Sequence, residues 1–367
     1  MAIRKLGSSL LGTIKLYNSL AAPCLSFHSQ LEEVPKWLLV KERNALQGMV
    51  GCPRFTFSPQ AITRLDKLGI PGAFCSLTAT GRAAAHRTAL ETSVHWRSAH
   101  AKWISALRCD DALIEALANN RGIFDTEPMV EFLHRVADMD GLERGTKRKL
   151  SEAIARTAER RTASRRKVSV QRALGRVYLD ALAPFEPAKF LEKRLARWTS
   201  AAGRGLSPLR AATVALHNVK ARVAPCITAA YVKTLLNGWA TSRRLSIQHA
   251  ASCRAGCGEE GSHDSIEHYG SCAAVAAAWS CFSGPGDHTL EDFLALGGAE
   301  PALLTLRLGF VYCCHAVLSR ARHRGEELHA DRFSRMVMER RRFLVGHCKA
   351  FRRDARRVAG GALQAPQ

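Results

Sequence analysis

The 367-residue sequence predicts a mainly α-helical protein on the strength of three observations. Apolar residues recur every three to four positions along most segments, which places them on one side of a helix. Few segments show the alternation of apolar and polar residues that a half-buried strand requires. A hydrophobic fraction of 47% supplies enough apolar side chains for a sizeable core. At this length we expect about two or three domains.

The first helix is expected near the N-terminus, where apolar residues at helical spacing are Leu6, Leu10, Leu11, Ile14, Tyr17 and Leu20. Pro23 is expected to end this helix. The same segment has no acidic residue before Glu32, which is also typical of an organelle transit peptide. The helical spacing favours an ordinary amphipathic helix, and Lys15 interrupts the apolar core that a secretory signal needs.

Further helices are expected over residues 37–50, 59–68, 74–90, 96–118 and 127–139. Gly69 and Pro71 would close the helix over residues 59–68. The most apolar run covers residues 302–318 but contains Arg307 and His315, so it predicts a buried helix rather than a membrane span. We therefore expect no membrane partner.

A formal net charge of +22 predicts a strongly basic surface that attracts polyanions, above all nucleic acid. The densest basic segment covers residues 144–176 and carries 12 cations against Glu152 and Glu159. Its candidate phosphate contacts are Lys147, Arg148, Lys149, Arg160, Arg161, Arg165, Arg166 and Lys167. A solvated helical linker that touches no ligand is the alternative interpretation.

A second basic segment lies near the C-terminus, within residues 335–357. Its apolar stripe consists of Phe333, Val337, Leu344, Cys348 and Phe351. This spacing predicts a docked helix with a basic outer face, followed by a loose tail after Gly360.

Most of the 12 cysteines stand alone within apolar stretches, which indicates a reducing compartment, nuclear or cytoplasmic. The exception is the pattern C-x3-C-x10-H-x3-C, formed by Cys253, Cys257, His268 and Cys272. Three thiolates and one imidazole are the ligands that a tetrahedral structural zinc ion takes. Because all four positions are filled by protein, the predicted zinc is structural and not catalytic. His263 is an alternative third ligand.

The geometry of this zinc site is also predicted from the sequence. Gly256 and Gly258 give the first cysteine pair the backbone freedom for a tight knuckle. Asp264 and Glu267 have the spacing of a capping box, which predicts a helix starting here. That helix would carry His268 and Cys272 one turn apart on one face, above Val275 and Trp279.

The motifs NGWATSRR over residues 237–244, CRAGCG and DSIEHYGSC together resemble the C-terminal zinc-binding region of non-LTR (LINE-type) retrotransposon reverse transcriptases. The resemblance covers residues 14–90, which are similar to the helical thumb and connection, and residues 214–279. It implies binding of RNA or single-stranded DNA, largely through phosphates. Arg243 and Arg244 would orient the nucleic acid beside the knuckle.

The sequence departs from that family in its catalytic residues. The polymerase needs a palm with paired aspartates that hold two metal ions, whereas Asp110 and Asp111 here lie among apolar residues at helical spacing. We therefore expect neither polymerase nor nuclease activity, with the palm lying upstream of Met1 as a possible partner. The expected domains are 1–140 (thumb-like), 141–213 (basic linker), 214–283 (zinc module) and 284–367 (C-terminal helices). The alternative function is a helical interaction scaffold without a nucleic-acid role.

Overall fold

The computed structural model describes residues 9–29, 34–53, 55–91, 185–201, 207–220, 222–246, 252–286, 288–297 and 300–362, with a few more residues between 148 and 180. Across these ranges the chain forms helices and connecting turns and contains no strand, so the predicted mainly α-helical class is confirmed. The helices predicted over 96–118 and 127–139 lie outside the described residues.

Fourteen α-helices are described, in chain order α1 Leu10–Leu16, α2 Ala22–His28, α3 Lys36–Val50, α4 Pro59–Ile62, α5 Leu77–Glu91, α6 Pro187–Leu195, α7 Pro208–Lys220, α8 Pro225–Leu235, α9 Ile266–Tyr269, α10 Ala273–Ser283, α11 Leu290–Phe293, α12 Pro301–Arg324, α13 Ala330–His347 and α14 Lys349–Ala362. Two 3₁₀ turns cover Leu65–Leu68 and Ala196–Ala201, and a π turn covers Tyr17–Ala21.

The chain divides into a larger unit (Met1–Thr13, Gln47–Ala73 and Glu186–Gln367) and a smaller unit (Ile14–Leu46 and Phe74–Phe185).

The half-buried carboxylate of Glu42 joins several segments of the smaller unit. Glu42 accepts hydrogen bonds from the Tyr17 hydroxyl at 3.0 Å and from the Leu77 N–H at 2.8 Å. Burial raises the pKa of Glu42, as expected for a carboxyl group that loses water on folding.

The prediction that Pro23 ends the first helix is wrong. The π turn lies between α1 and α2, before Pro23 is reached. Pro23 lies in the first turn of α2, where a missing N–H costs nothing.

The core of the larger unit is formed by α8, α10, α12, α13 and α14. α12 is long and apolar enough to cross a membrane by length and composition alone, but 67% of its apolar window is buried within the fold. The buried helix predicted over residues 302–318 therefore corresponds to α12. Trp198 links the turn after α6 to this core, because its indole N–H donates to the Leu235 carbonyl at 2.6 Å.

The C-terminal basic segment is docked through Phe333, Val337, Leu344 and Phe351, all of which are buried as predicted. It forms two helices instead of one. Cys348 has extended backbone angles (φ −115°, ψ 102°) and separates α13 from α14. The break turns the chain so that Phe351 can enter the core beside Phe282, with ring centroids 6.1 Å apart. α14 also continues through Gly360 to Ala362.

Candidate metal centre

The first half of the site is a tight turn over Cys253–Cys257. Gly256 has a left-handed φ of 74°, which glycine adopts without strain. A Cβ at this position would lie only 2.1 Å from the Leu328 carbonyl oxygen, in the connection between α12 and α13. The side chain of Arg254 contacts the same connection, donating to the Glu326 carbonyl at 3.2 Å. The predicted role of Gly256 therefore holds, and the turn is anchored on the helical core.

The second half of the site differs from the single helix that the sequence predicted. His268 lies in α9, which ends at Gly270, and Cys272 is the N-cap residue of α10. The two ligands are therefore on separate helices. Cys272 has extended backbone angles (φ −69°, ψ 125°), because the chain must turn between the two helices to bring this sulphur beside Cys253.

The predicted capping box is also wrong. Ser265 is the N-cap of α9, and its hydroxyl accepts a hydrogen bond from the His268 N–H at 3.1 Å. The carboxylate of Asp264 is fully buried and faces Arg322 of α12 instead of the helix start. Ser265 satisfies the helix start, so the Asp264 carboxylate is free to act as the charged partner of the half-buried Arg322 guanidinium.

The four predicted ligand atoms lie within 4.8 Å of one another. The Cys253 and Cys272 sulphurs are 3.6 Å apart, and the Cys257 sulphur is 3.4 Å from Nε2 of His268. A tetrahedral zinc ion with ordinary bond lengths requires about 3.8 Å between two sulphurs and about 3.5 Å between sulphur and nitrogen. The donor set and its spacing therefore suit a tetrahedral metal ion. His263, the alternative ligand, is exposed and is not part of the group.

The surroundings of Cys253 favour the deprotonated sulphur that metal binding requires. The hydrogen bond with Cys272 lowers the pKa of Cys253 to about 5, assisted by the N–H groups of Ala255 and Cys257. The same shared proton raises the pKa of Cys272, while the Val275 N–H at the start of α10 opposes that rise. Both sulphurs thus receive backbone donors that stabilise negative charge.

A buried polar network lies directly behind the site. Arg322 holds the two carboxylate oxygens of Asp264 at 3.0 and 2.6 Å, in a bidentate pair. Asp264 also accepts from the Tyr269 hydroxyl, from the Ser242 N–H at 2.9 Å and from the Ser242 hydroxyl at 3.1 Å. Burial by itself would raise the pKa of Asp264, but these donors and the Arg322 charge hold it below its ordinary value.

This network connects the knuckle to the NGWATSRR segment. Trp239 is fully buried, and its ring centroid lies 5.8 Å from that of Tyr269 and 5.1 Å from that of His315. The Arg243 N–H donates to the Asp264 carbonyl at 3.3 Å. Arg243 is exposed and Arg244 is half-buried, so the segment presents cations from a backbone fixed beside the metal ligands.

The other predicted nucleic-acid contacts are only partly described. Arg148 is an exposed helical residue. Lys147, Lys149, Arg160, Arg161, Arg165, Arg166 and Lys167 lie outside the described residues. Sequence reasoning missed Arg322, which lies 50 positions beyond the last predicted ligand, and no local signal distinguishes it from the other arginines of α12.

Comparison with models of known protein families, with curated proteins and with solved structures finds no match. The fold and the site together define the class of protein. The chain is an α-helical protein with a Cys3His group, Cys253, Cys257, His268 and Cys272, that can hold a metal ion.

Proposed function

We propose that this chain is a nucleic-acid-binding, non-catalytic region of the retrotransposon reverse-transcriptase type, equivalent to its thumb and C-terminal zinc module. The observation that carries the proposal is the Cys3His group at zinc-like spacing, with the exposed Arg243 fixed directly beside it. The motif spacing and the resemblance of the flanking NGWATSRR segment support the same assignment.

The metal of this proposal is one zinc ion with a structural role. Zinc would be held by Cys253, Cys257, His268 and Cys272, and it would join the knuckle to the start of α10. All four positions of a tetrahedron would then be occupied by protein atoms, so no position remains for an activated water. We therefore assign no hydrolytic chemistry to this site, and the chain lacks the paired carboxylates of the family's palm.

The partner of this proposal is RNA or single-stranded DNA, bound largely through phosphates. The charge of +22 supports a polyanionic partner. Such contacts carry little sequence information, so discrimination between sequences would be weak. If about six phosphates are neutralised, the logarithm of affinity falls with the logarithm of salt concentration at a slope of about −4 to −5.

The test combines metal analysis with binding across a salt series. The intact chain is expected to contain one equivalent of zinc and to bind single-stranded RNA and DNA with this salt dependence. A variant with Arg160, Arg161, Arg165, Arg166 and Lys167 changed to Gln would bind more weakly and with a shallower slope. A matched variant with Arg332, Arg335, Arg342, Arg353 and Arg356 changed to Gln removes five cations of the C-terminal helices. Equal losses of affinity in both variants would show that binding depends on positive charge in general and not on the basic segment of residues 144–176.

The contacts between the metal-site turn and the helical core favour a second candidate function, a helical interaction scaffold. Gly256 packs against the α12–α13 connection, and Asp264 is paired with Arg322 of α12. In this alternative the metal only stabilises the fold. A chain that holds its metal but shows no salt-dependent nucleic-acid binding would support the scaffold and contradict the first proposal.

A further inference from the structure

A second feature of the larger unit is the exposed aromatic ring of Phe55. Its side chain is 72% exposed, although both following residues, Thr56 and Phe57, are buried. The backbone of Phe55 has a φ of 66°, in the left-handed region that bulky residues rarely adopt. Backbone strain of this kind persists only where the surrounding structure enforces it, and it concentrates at functional sites.

The turn that carries Phe55 is fixed to the segment leading to the metal site. The Thr56 methyl group packs against Gly238, where an added Cβ would lie 2.8 Å from it. Lys233 donates to the Val50 carbonyl at 2.9 Å, and the Gly238 N–H donates to the Lys233 carbonyl at 2.6 Å. The exposed ring therefore belongs to a turn that is packed against this segment.

The turn that carries this ring contacts Arg194, which has two further arginines near it. Arg194 of α6 donates to the Phe55 carbonyl at 2.6 Å. Arg197 follows one helical turn later and lies over the Trp198 ring at 5.4 Å from its centroid. Burial lowers the pKa of Arg194, and the positive charges of Arg244 and Arg197 lower it further. The charges of Arg244 and Arg197 are therefore close enough to Arg194 to repel its guanidinium.

Among the described residues, the acids at this helix form no ion pair with Arg194. Glu186, the N-cap residue of α6, is paired with Lys189 at 2.9 Å. Glu192 is exposed and lies two positions before Arg194, so the two side chains face different sides of the helix. An anionic ligand would relieve the repulsion between the arginines, since each phosphate brings a negative charge to the guanidiniums.

We propose that Phe55, Arg194, Arg197 and Arg244 form a binding site for single-stranded nucleic acid, in which an unpaired base stacks on the Phe55 ring and the arginines contact the flanking phosphates. This inference rests on the proposed nucleic-acid-binding function and assigns it a specific surface. An exposed aromatic ring among cations is the arrangement that single-strand binding proteins use, because every base has a face that can stack. A duplex keeps its bases stacked inside the helix and offers the ring no such face.

The experiment removes the ring without straining the turn. Phe55→Gly suits the left-handed backbone, so the thermal stability of the intact chain is expected to be unchanged or higher. The control is Phe343→Ala, because Phe343 is another exposed aromatic side chain on the larger unit, at 48% exposure. Each protein is titrated with three fluorescein-labelled oligonucleotides of equal length, a thymidine single strand, the same strand with abasic sites, and a duplex.

Loss of base stacking predicts about a 5-fold to 100-fold weaker affinity of Phe55→Gly for the thymidine strand. Its affinity for the abasic strand and the duplex should equal that of the unsubstituted chain, and its salt slope should not change. Arg197→Gln should instead weaken binding to the thymidine and abasic strands alike, with a slope shallower by about 0.7.

Unchanged affinity of Phe55→Gly for the thymidine strand would overturn this site while leaving the proposed function standing. An equal loss in Phe343→Ala would also overturn it, because the effect would then follow from any exposed aromatic residue. If the unsubstituted chain binds none of the three oligonucleotides, both this site and the proposed function are wrong.

Discussion

The metal-site segment, residues 252–272, and the aromatic layer of α10, α12 and α14 are both ordered, but by different forces. Apart from the ligand cysteines, the segment buries only the apolar residues Ala255, Ile266 and Tyr269. The aromatic layer buries Trp279, Phe282, Phe310 and Phe351, with ring centroids 5.1 Å apart for Trp279 and Phe310. The segment instead depends on four metal-type ligands and one buried ion pair.

This contrast shows how the chain orders a region that is too polar to form a core. Apolar burial stabilises in proportion to the area removed from water, and the metal-site segment has little such area. A metal ion held by these four side chains would add its binding free energy to the folding free energy of the segment. The two regions should therefore respond differently to metal removal, to core truncation and to pH.

The largest expected effect is on the metal-site segment alone. Chelation, or Cys257→Ser, removes an apparent binding free energy of about 10–16 kcal/mol and should unfold this segment. Hydrogen exchange should show loss of protection over residues 252–272, while amides of α12–α14 stay protected. The control is Cys281→Ser, which changes an exposed free cysteine. Retention of a full equivalent of metal by Cys257→Ser would contradict the ligand assignment.

A core truncation should produce the opposite pattern. Phe310→Ala removes a fully buried ring between Trp279 and Phe282, which is expected to cost about 3–5 kcal/mol of the free energy of unfolding. The measurement is urea denaturation of the metal-bound protein, together with its metal content. Metal stoichiometry should not change, and a loss of metal at native conditions would show that the two regions are not separable.

Asp264→Asn tests the connection between the two regions. The substitution leaves the half-buried guanidinium of Arg322 without its carboxylate, at an expected cost of about 3 kcal/mol. The control is Asp331→Asn, which removes the same charge from an exposed position in the first turn of α13. Both variants are compared by denaturation at constant zinc concentration. Equal stabilities would mean that the ion pair contributes no more than a surface charge.

The smallest effect is expected from His315, whose ring lies beside the buried Trp239. Burial, together with the positive charges of Lys233 and Arg322, lowers the pKa of His315 to about 3. The unfolded state protonates near pH 6.5, so stability is constant above that pH and falls as the pH decreases below it. The slope is at most about 1.4 kcal/mol per pH unit.

His315→Gln should reduce the fall in stability between pH 7.5 and pH 5.5 on this account. Denaturation midpoints of the two proteins at several pH values in this window measure the difference. Parallel pH profiles for His315→Gln and the unsubstituted chain would show that another group controls the dependence.

Local spacing was enough to predict several features of this protein. The helix over residues 37–50, the buried helix α12 and the buried stripe of Phe333, Val337, Leu344 and Phe351 follow from periodicity within single segments. The Cys3His ligand set follows from its spacing in 20 residues of sequence. Each of these signals depends only on residues that are close together in the sequence. Such residues are also close together in space within a helix or a knuckle.

The errors lie where distant segments interact. Asp264 has the spacing of a capping residue, but its carboxylate is paired with Arg322, which lies 58 positions away in the sequence. His268 and Cys272 have the spacing of one helical turn, but the sulphur of Cys272 must reach Cys253, so the helix divides at Gly270. In both cases a tertiary contact provides more free energy than the local preference that it replaces.

The sequence by itself determined the helical class, the basic charge and the identity of the four candidate metal ligands, because composition and short-range spacing suffice for each. Only the tertiary structure decided which residues surround those ligands and where Phe55 meets Arg194. These two residues lie 139 positions apart in the sequence. Their proximity depends on how the helices pack, and no pattern within one segment carries that information.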